Sequence, residues 1–209
     1  MPVVKSSATD LFAGKSALPS GFRYWSEVFS KAEESEYVKR FASLPFKPFE
    51  FHGYLGNRQV VSYGFRYDYG GQALRAANQI PDFLYPLREI ASAASGIAAK
   101  DLEQALVTEY APGAGIGWHR DKPMFEKVVA LSFLEPCILR VRKKHDRGWQ
   151  RAKSLIEPRS CYLMSGDVRE AWEHSITPMN ALRYSVTFRS FKAGFNRPIF
   201  GPSAQGPER

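Results

Sequence analysis

The sequence predicts a mainly β fold with flanking helices, an α+β domain in which two helices precede a run of short strands. Three observations carry this. Two helix-like segments come first, each with a start signal. The second half breaks into short segments rich in Val, Ile, Leu, Phe and Tyr, residues that fit a pleated surface. Gly, Pro and Ser clusters separate those segments. Several short strands with turns between them pack as a sandwich or barrel, and helices that come first are placed to cover one sheet.

In order along the chain, residues 1–18 are polar and aperiodic and read as a loose arm. Ser30-Lys-Ala-Glu33 has the capping-box pattern and opens a helix to about Ala42. Pro45 and Pro48 end it. Residues 49–71 (FEFHGYLGNRQVVSYGFRYDYGG) are aromatic, Gly-rich and partly alternating, and read as strands and turns. Pro81-Asp82 opens a second helix to about Ser95, with Pro86 as a point of irregularity. Residues 100–103 form a short turn or helix. Strands are expected at 105–110, 128–133, 138–142, 160–164 and 183–191. Turns are expected at 111–115, 147–148 and Ser165-Gly-Asp167. The Pro/Gly-rich tail from 194 to 209 is expected to fray. One domain, 19–193, remains between arm and tail, with no internal repeat.

A length of 209 residues suits one domain and buries a core without staples. Hydrophobic residues at 44% and charged residues at 24% are ordinary for a soluble globular chain. No apolar run approaches the roughly 18 residues of a membrane span, and the N-terminus lacks a signal-peptide core. The expectation is a cytoplasmic protein, monomeric by default. Cys137 and Cys161, the only cysteines, read as buried free thiols rather than a thiolate metal site. A net charge of +8 favours acidic partners such as nucleic acid, although many basic proteins bind none.

The chain has four histidines. His119 sits in Trp118-His-Arg-Asp121. On an extended segment, residues i and i+2 share a side, so His119 and Asp121 can present an imidazole and a carboxylate to one point. A third ligand from a distant strand completes a two-His-one-carboxylate face with open positions, which suits iron(II) and oxygen chemistry. A bare His-x-Asp is more often a hydrogen-bonded surface pair. His174, in Ala-Trp-Glu-His-Ser-Ile, is the distant candidate. His52 and His145 belong to no such pattern and read as non-ligands. After His174, period two puts Arg183, Ser185, Thr187 and Arg189 on one strand face and Tyr184, Val186 and Phe188 on the other. The second is a core face. The first is either a solvated face or a site for a dicarboxylate, whose geometry an arginine fork matches.

Together, Tyr110-Ala-Pro-Gly-Ala, His119-Arg-Asp121, Val129-Ala-Leu-Ser-Phe133, His174 and Arg183-Tyr-Ser-Val-Thr-Phe-Arg189 resemble the AlkB family of nucleic-acid dealkylating dioxygenases, over about residues 20–192. The resemblance implies a double-stranded β-helix (jelly-roll) core with N-terminal helices and a substrate lid. It implies iron(II) held by His119, Asp121 and His174, with 2-oxoglutarate and O2 as co-substrates. It places Tyr110 and Arg183 on the distal carboxylate of 2-oxoglutarate and Arg189 nearer the metal. Six residues of strand span about 20 Å, so both arginines serve one ligand only if their side chains lean together. Thr108 and Ser185 stand where many members have Asn, and both keep a hydrogen-bonding side chain for the co-substrate. Pro123 stands where DNA-repair members carry a base-reading acid, and it cannot accept a hydrogen bond.

The implied reaction is oxidative demethylation of N-alkylated bases, with release of formaldehyde and succinate. Single-stranded DNA is the favoured substrate, and RNA an open one. Tyr63, Phe65, Tyr67 and Tyr69 alternate along one face and would hold an extruded base, or form a plain half-buried hairpin. Trp118 and Lys122, beside the iron motif, complete the expected substrate contacts. The 140–153 stretch holds seven Lys or Arg against one Asp, with Trp149 among them. It reads as partly a loop near the barrel mouth that grips phosphates, or as a solvated hairpin. Two alternatives stay open: the same chemistry on an RNA nucleoside or protein side chain, and a nucleic-acid binding protein with a vestigial metal site.

Overall fold

A computed structural model of the protein describes residues 18–51 and 54–198. His52, nearly all of the expected arm and the end of the expected tail lie outside them. Elements are numbered in chain order. Helix α1 (Lys31–Phe41) starts on the expected capping box: the Glu33 amide donates to Ser30 Oγ at 3.2 Å and the Ser30 amide to Glu33 Oε2 at 2.7 Å. A 3-10 turn at Asp82–Leu84 leads into α2 (Tyr85–Ser95). Pro86 sits in the first turn of α2, where a missing N–H is harmless, so the expected irregularity is this junction and not a kink. Ser165-Gly-Asp167, read as a turn, begins a five-residue helix, α3 (Gly166–Glu170). A helix that short shows no periodicity to read.

Seven strands form the larger sheet, in the order β1 (Phe22–Trp25), β11 (Cys161–Met164), β8 (Phe125–Leu134), β13 (Arg183–Phe191), β6 (Gln104–Tyr110), β3 (Tyr54–Tyr63) and β2 (Lys47–Phe51). Four form the smaller sheet, in the order β10 (Gly148–Ile156), β9 (Cys137–His145), β12 (Glu173–Ile176) and β7 (Ile116–His119). A hairpin, β4 (Phe65–Asp68) with β5 (Ala73–Ala76), stands apart. The two larger sheets face each other as a jelly roll, and α1 and α2 cover the outer face of the seven-stranded sheet.

Each central strand therefore feeds two cores. On β8, Val129, Leu131 and Phe133 pack with Phe41, Leu84 and Leu87 under the helices. Val128 and Ala130 point the other way and meet Leu139, Val141 and Ile176 of the small sheet. Being buried on both faces makes such a strand continuously apolar rather than alternating. The Phe133 ring lies 4.8 Å from Phe29 and 5.1 Å from Phe41, contacts worth about 0.5–1.5 kcal/mol each beyond area burial. Strand β13 behaves as its period predicts. Tyr184, Val186 and Phe188 join the helix-side core, and Ser185, Thr187 and Arg189 face the interior cavity.

One expectation needs correction here, and one open reading is decided. The aromatic run 63–69 is not one strand face. Gly64 takes φ +72° between β3 and β4, and a Cβ there would lie 2.2 Å from the Glu103 carbonyl oxygen. The break leaves Tyr63 in the helix-side core and Phe65 against Phe125 and Phe191, so neither lines the cavity. Of the two readings of the 140–153 stretch, the hairpin is the one that forms: β9 pairs with β10, and only the turn at 146–147 is loop. Its basic residues alternate with buried Leu139, Val141 and Ala152, a pattern that a count of charges hides.

Candidate active site

Strands β12 and β7 pair so that His174 and His119 are directly opposite, with ring centroids 4.1 Å apart. Asp121 lies two residues beyond His119, just past the strand end. Its Oδ2 is 3.6 Å from His174 Nε2 and is buried with no hydrogen-bond partner. Its Oδ1 accepts from Arg189 Nε at 3.1 Å and Nη2 at 2.9 Å, and Arg189 Nη1 donates to Gln104 Oε1 at 2.8 Å. His119 Nδ1 lies 2.9 Å from the Gly117 carbonyl. A carbonyl only accepts, so this contact assigns the proton to Nδ1 and leaves the Nε2 lone pair available.

Charge follows the same geometry. Burial alone would raise the Asp121 carboxyl, but the Arg189 guanidinium, together with His174, His119 and Arg169, outweighs it and holds the group well below the usual carboxylate range. Burial, reinforced by His119, pushes His174 down to about 3. His119 is also lowered by burial, against the pull of Asp121. At neutral pH the trio is two neutral imidazoles and one carboxylate, the protonation state a metal ligand needs.

These groups open into a cavity of about 1190 Å³ whose lining includes Tyr110, Thr108, Ser185, Lys122, Tyr67 and Tyr69. Tyr110 and Arg183 are direct partners across β6 and β13, as are Thr108 and Ser185. Arg183 is fully buried and does not itself line the cavity. Its guanidinium carbon lies 4.8 Å from the Tyr110 ring centre, and its Nε donates to Ser132 Oγ at 3.2 Å. Burial opposes its charge, but the fields of Cys137, Tyr110 and Tyr162 together favour it. Neither Nη1 nor Nη2 has a partner in hydrogen-bond geometry. Leaving donors of a buried cation unsatisfied is costly, and a carboxylate is the ligand that relieves it.

In the cavity wall, Lys122 Nζ lies 3.9 Å from the Tyr67 ring centre and 4.5 Å from that of Tyr69. Arg58, unremarked in the sequence, lines the same wall and stacks 3.8 Å over Phe49. Trp118 points away from the cavity and stacks with Arg140 and Arg142, because its neighbour His119 takes the inward side of β7. Pro123 is exposed and outside the lining. Arg169 of α3 is also new: Nη2 donates to the carbonyls of Lys122 at 2.6 Å and Phe125 at 2.8 Å, clamping the loop after Asp121. Nothing local marked these arginines, since their partners are 44 or more residues distant or belong to other strands.

Among the described residues, no three His, Cys, Asp or Glu groups are arranged to hold a metal as they stand. The trio is gathered, not closed. Its donor set nevertheless fits iron(II): an orphaned carboxylate oxygen faces an imidazole, with open space on the cavity side. No helix among the described residues is long and apolar enough to cross a membrane.

Comparison with known proteins agrees with this architecture. The family model "2OG-Fe(II) oxygenase superfamily" matches residues 23–189. The chain is 30% identical over 146 residues to "Alkylated DNA repair protein ALKBH8 homolog" of Arabidopsis thaliana, covering 58% of this chain and 42% of that one. It is 29% identical over 131 residues to "tRNA (carboxymethyluridine(34)-5-O)-methyltransferase alkbh8" of Xenopus tropicalis, covering 59% and 20%. The chain thus spans less than half the length of these curated relatives. The solved structure of OsALKBH1 superposes with a TM-score of 0.65 at 16% identity, over 84% of this chain and 99% of that one, a likeness of fold. With jelly roll, inward histidines and family model in agreement, the chain belongs to the 2OG-Fe(II) oxygenase superfamily, a class of dioxygenases that works with iron(II), 2-oxoglutarate and O2.

Proposed function

We propose that the protein oxidises an alkyl group on a nucleic-acid base extruded into this cavity, with demethylation of N-methylated bases as the reaction. The observation that carries the reading is the pairing, within one interior, of two polar groups lacking partners: Asp121 Oδ2 beside the histidines and the Arg183 terminal nitrogens beside Tyr110. One fits a cation and the other a carboxylate. Bound iron(II), with 2-oxoglutarate and O2, supplies the oxidation of an unactivated C–H bond.

The protein's own groups do the rest. His119, Asp121 and His174 hold the metal. Arg189 keeps Asp121 ionised and oriented from behind. Arg183 and Tyr110 take the distal carboxylate of the co-substrate, with Thr108 and Ser185 alongside. Tyr67, Tyr69 and Lys122 form the wall on which a flat base rests. A carbon hydroxylated while attached to a ring nitrogen leaves as formaldehyde, and the nitrogen keeps the electron pair.

RNA is the second reading. Pro123 leaves the family's acidic base reader absent, and that position lies outside the cavity. The Xenopus relative is named for tRNA. The test is release of formaldehyde and succinate from single-stranded DNA and from RNA carrying 1-methyladenine or 3-methylcytosine. Matched release of both, lost in His174→Ala, is expected. Full activity in a folded His174→Ala protein would remove the ligand assignment. Succinate without formaldehyde would retain the oxygenase and exclude these bases.

A further inference from the structure

The small sheet has two faces. The inner one carries His119, His174 and the apolar side chains of the sandwich core. Period two then places Arg140, Arg142 and Lys144 of β9, and Trp149, Arg151 and Lys153 of β10, on the outer face. None of these lines the cavity. We propose that this outer face is a docking platform for single-stranded nucleic acid, distinct from the catalytic pocket. The proposal rests on the nucleic-acid reading above.

The register sets like charges against one another across β9 and β10. Arg142 lies directly opposite Arg151, and Arg140 directly opposite Lys153. Like charges directly opposite on one face weaken a sheet. Glu173 is the only acidic residue in the four strands, and it bonds Arg142 at 2.7 Å. The four strands therefore carry six Lys or Arg against one acid.

Edge protection explains only part of this. Strand β10 is the sheet edge, where cations discourage pairing with other chains. Strand β9 is interior, between β10 and β12, and its arginines guard nothing.

The same face also carries indoles. The Arg142 guanidinium lies between two indoles, 4.4 Å from the Trp118 ring centre and 4.0 Å from that of Trp149. Arg140 adds a contact at 5.1 Å to Trp118 and is steadied by Ser175 Oγ at 3.0 Å. Trp149 remains 37% exposed. Cations recurring every second residue, interleaved with an exposed indole, suit a polymer with regular phosphates and flat bases. A lipid surface or an acidic protein uses the charge but not the stack. The row runs from β10 to β7, the strand that carries His119, so a strand lying on it leads towards the catalytic edge of the sheet.

The test uses the full chain and a fluorescein-labelled 12-nucleotide single strand, as RNA and as DNA, with anisotropy read across a salt series. In Arg151→Gln/Lys153→Gln, affinity is expected to fall roughly tenfold or more, and the log–log salt slope to flatten by about 1.4, about 0.7 per lost phosphate contact. Trp149→Ala is expected to lose roughly five- to a hundredfold, the range of one lost base stack. Circular dichroism and a thermal melt of the double variant confirm that it is folded, so that a fall in affinity reads the lost contacts. Variants that bind the 12-mer like the parent, or a parent that binds none, would overturn the platform. Equal or tighter binding of the parent to anionic vesicles than to the strand would overturn the choice of partner. Lost 12-mer binding without any base oxidation would keep the platform and remove the proposed reaction. Oxidation of a methylated trinucleotide with unchanged 12-mer binding would do the reverse.

Discussion

Burying a guanidinium without acceptors for its terminal nitrogens is expensive, and Arg183 is held that way beneath the Tyr110 ring. Two consequences separate its role in binding from its role in stability. Arg183→Met should weaken 2-oxoglutarate binding by about 1.5–3 kcal/mol, the worth of a charged hydrogen bond, or roughly ten- to a hundredfold in Kd. It should leave the melting midpoint of the ligand-free protein unchanged or higher, since an unsatisfied buried charge is gone. Titration calorimetry and thermal melts of one preparation read both quantities.

His174 makes a pH prediction for the metal-free protein. Its folded value of about 3 lies below the ordinary histidine value of about 6.5. Between these values the unfolded chain binds a proton that the folded one refuses, so stability rises with pH across the window. Asp121 is also lowered, and its contribution is present above the ordinary carboxylate value and lost below it. Melting midpoints should therefore fall steadily as pH drops from about 6.5 towards 4. A flat profile there would mean that the imidazole is not buried neutral. The cysteines give a simpler check. Burial pushes Cys161 up to about 12 and also raises Cys137, so neither should react with a thiol reagent at pH 8 until the protein is denatured.

At the scale of elements, the join between β3 and β4 decides what the aromatic run becomes. Gly64 at φ +72° reverses the facing of the chain, so Tyr63 and Phe65 become packing residues while Tyr67 and Tyr69 reach the cavity. Gly64→Ala places a Cβ against the Glu103 carbonyl. It should destabilise by at least about 1–3 kcal/mol, the range for a strained left-handed residue, and shift the wall that faces the substrate. Urea unfolding measures the first effect and KM for the nucleic-acid substrate the second. The alternation of aromatics was legible in the residues, but its interruption was not. A glycine inside a strand pattern signals a bend without saying which side each neighbour takes.

For the whole molecule, the two sheets and the helix layer gather His119 and Asp121, from β7 and the segment after it, with His174 of β12, more than 50 residues further along the chain. Unpaired donors in a folded interior are a site that a ligand stabilises by mass action, by about 2.7 kcal/mol at a hundredfold excess over Kd. Manganese(II), a redox-silent stand-in, should raise the melting midpoint of the parent protein, and 2-oxoglutarate should raise it further. His174→Ala should lose the first shift. No shift in the parent would remove the metal reading at this trio.

The sequence by itself determined the β-rich class, the capped first helix, the two faces of β13 and the residues His119, Asp121 and His174 that meet at the cavity. These follow from local rules: capping chemistry, period two, and the rarity of histidine in this chain. It also put Asp121 and His119 on one side, because two residues of extended chain always share one. Only the tertiary structure decided that Trp118 turns outward, that Tyr63 and Phe65 are packing residues, that Arg189 grips Asp121, and that Arg58 and Arg169 belong to the site. Each of those depends on which distant backbone lies alongside, and a residue's own neighbours in sequence do not encode that. The basic stretch shows the division most directly. Its charge was countable from the chain, but whether that charge formed a loop or one face of a sheet depended on the pairing of β9 with β10 and β12.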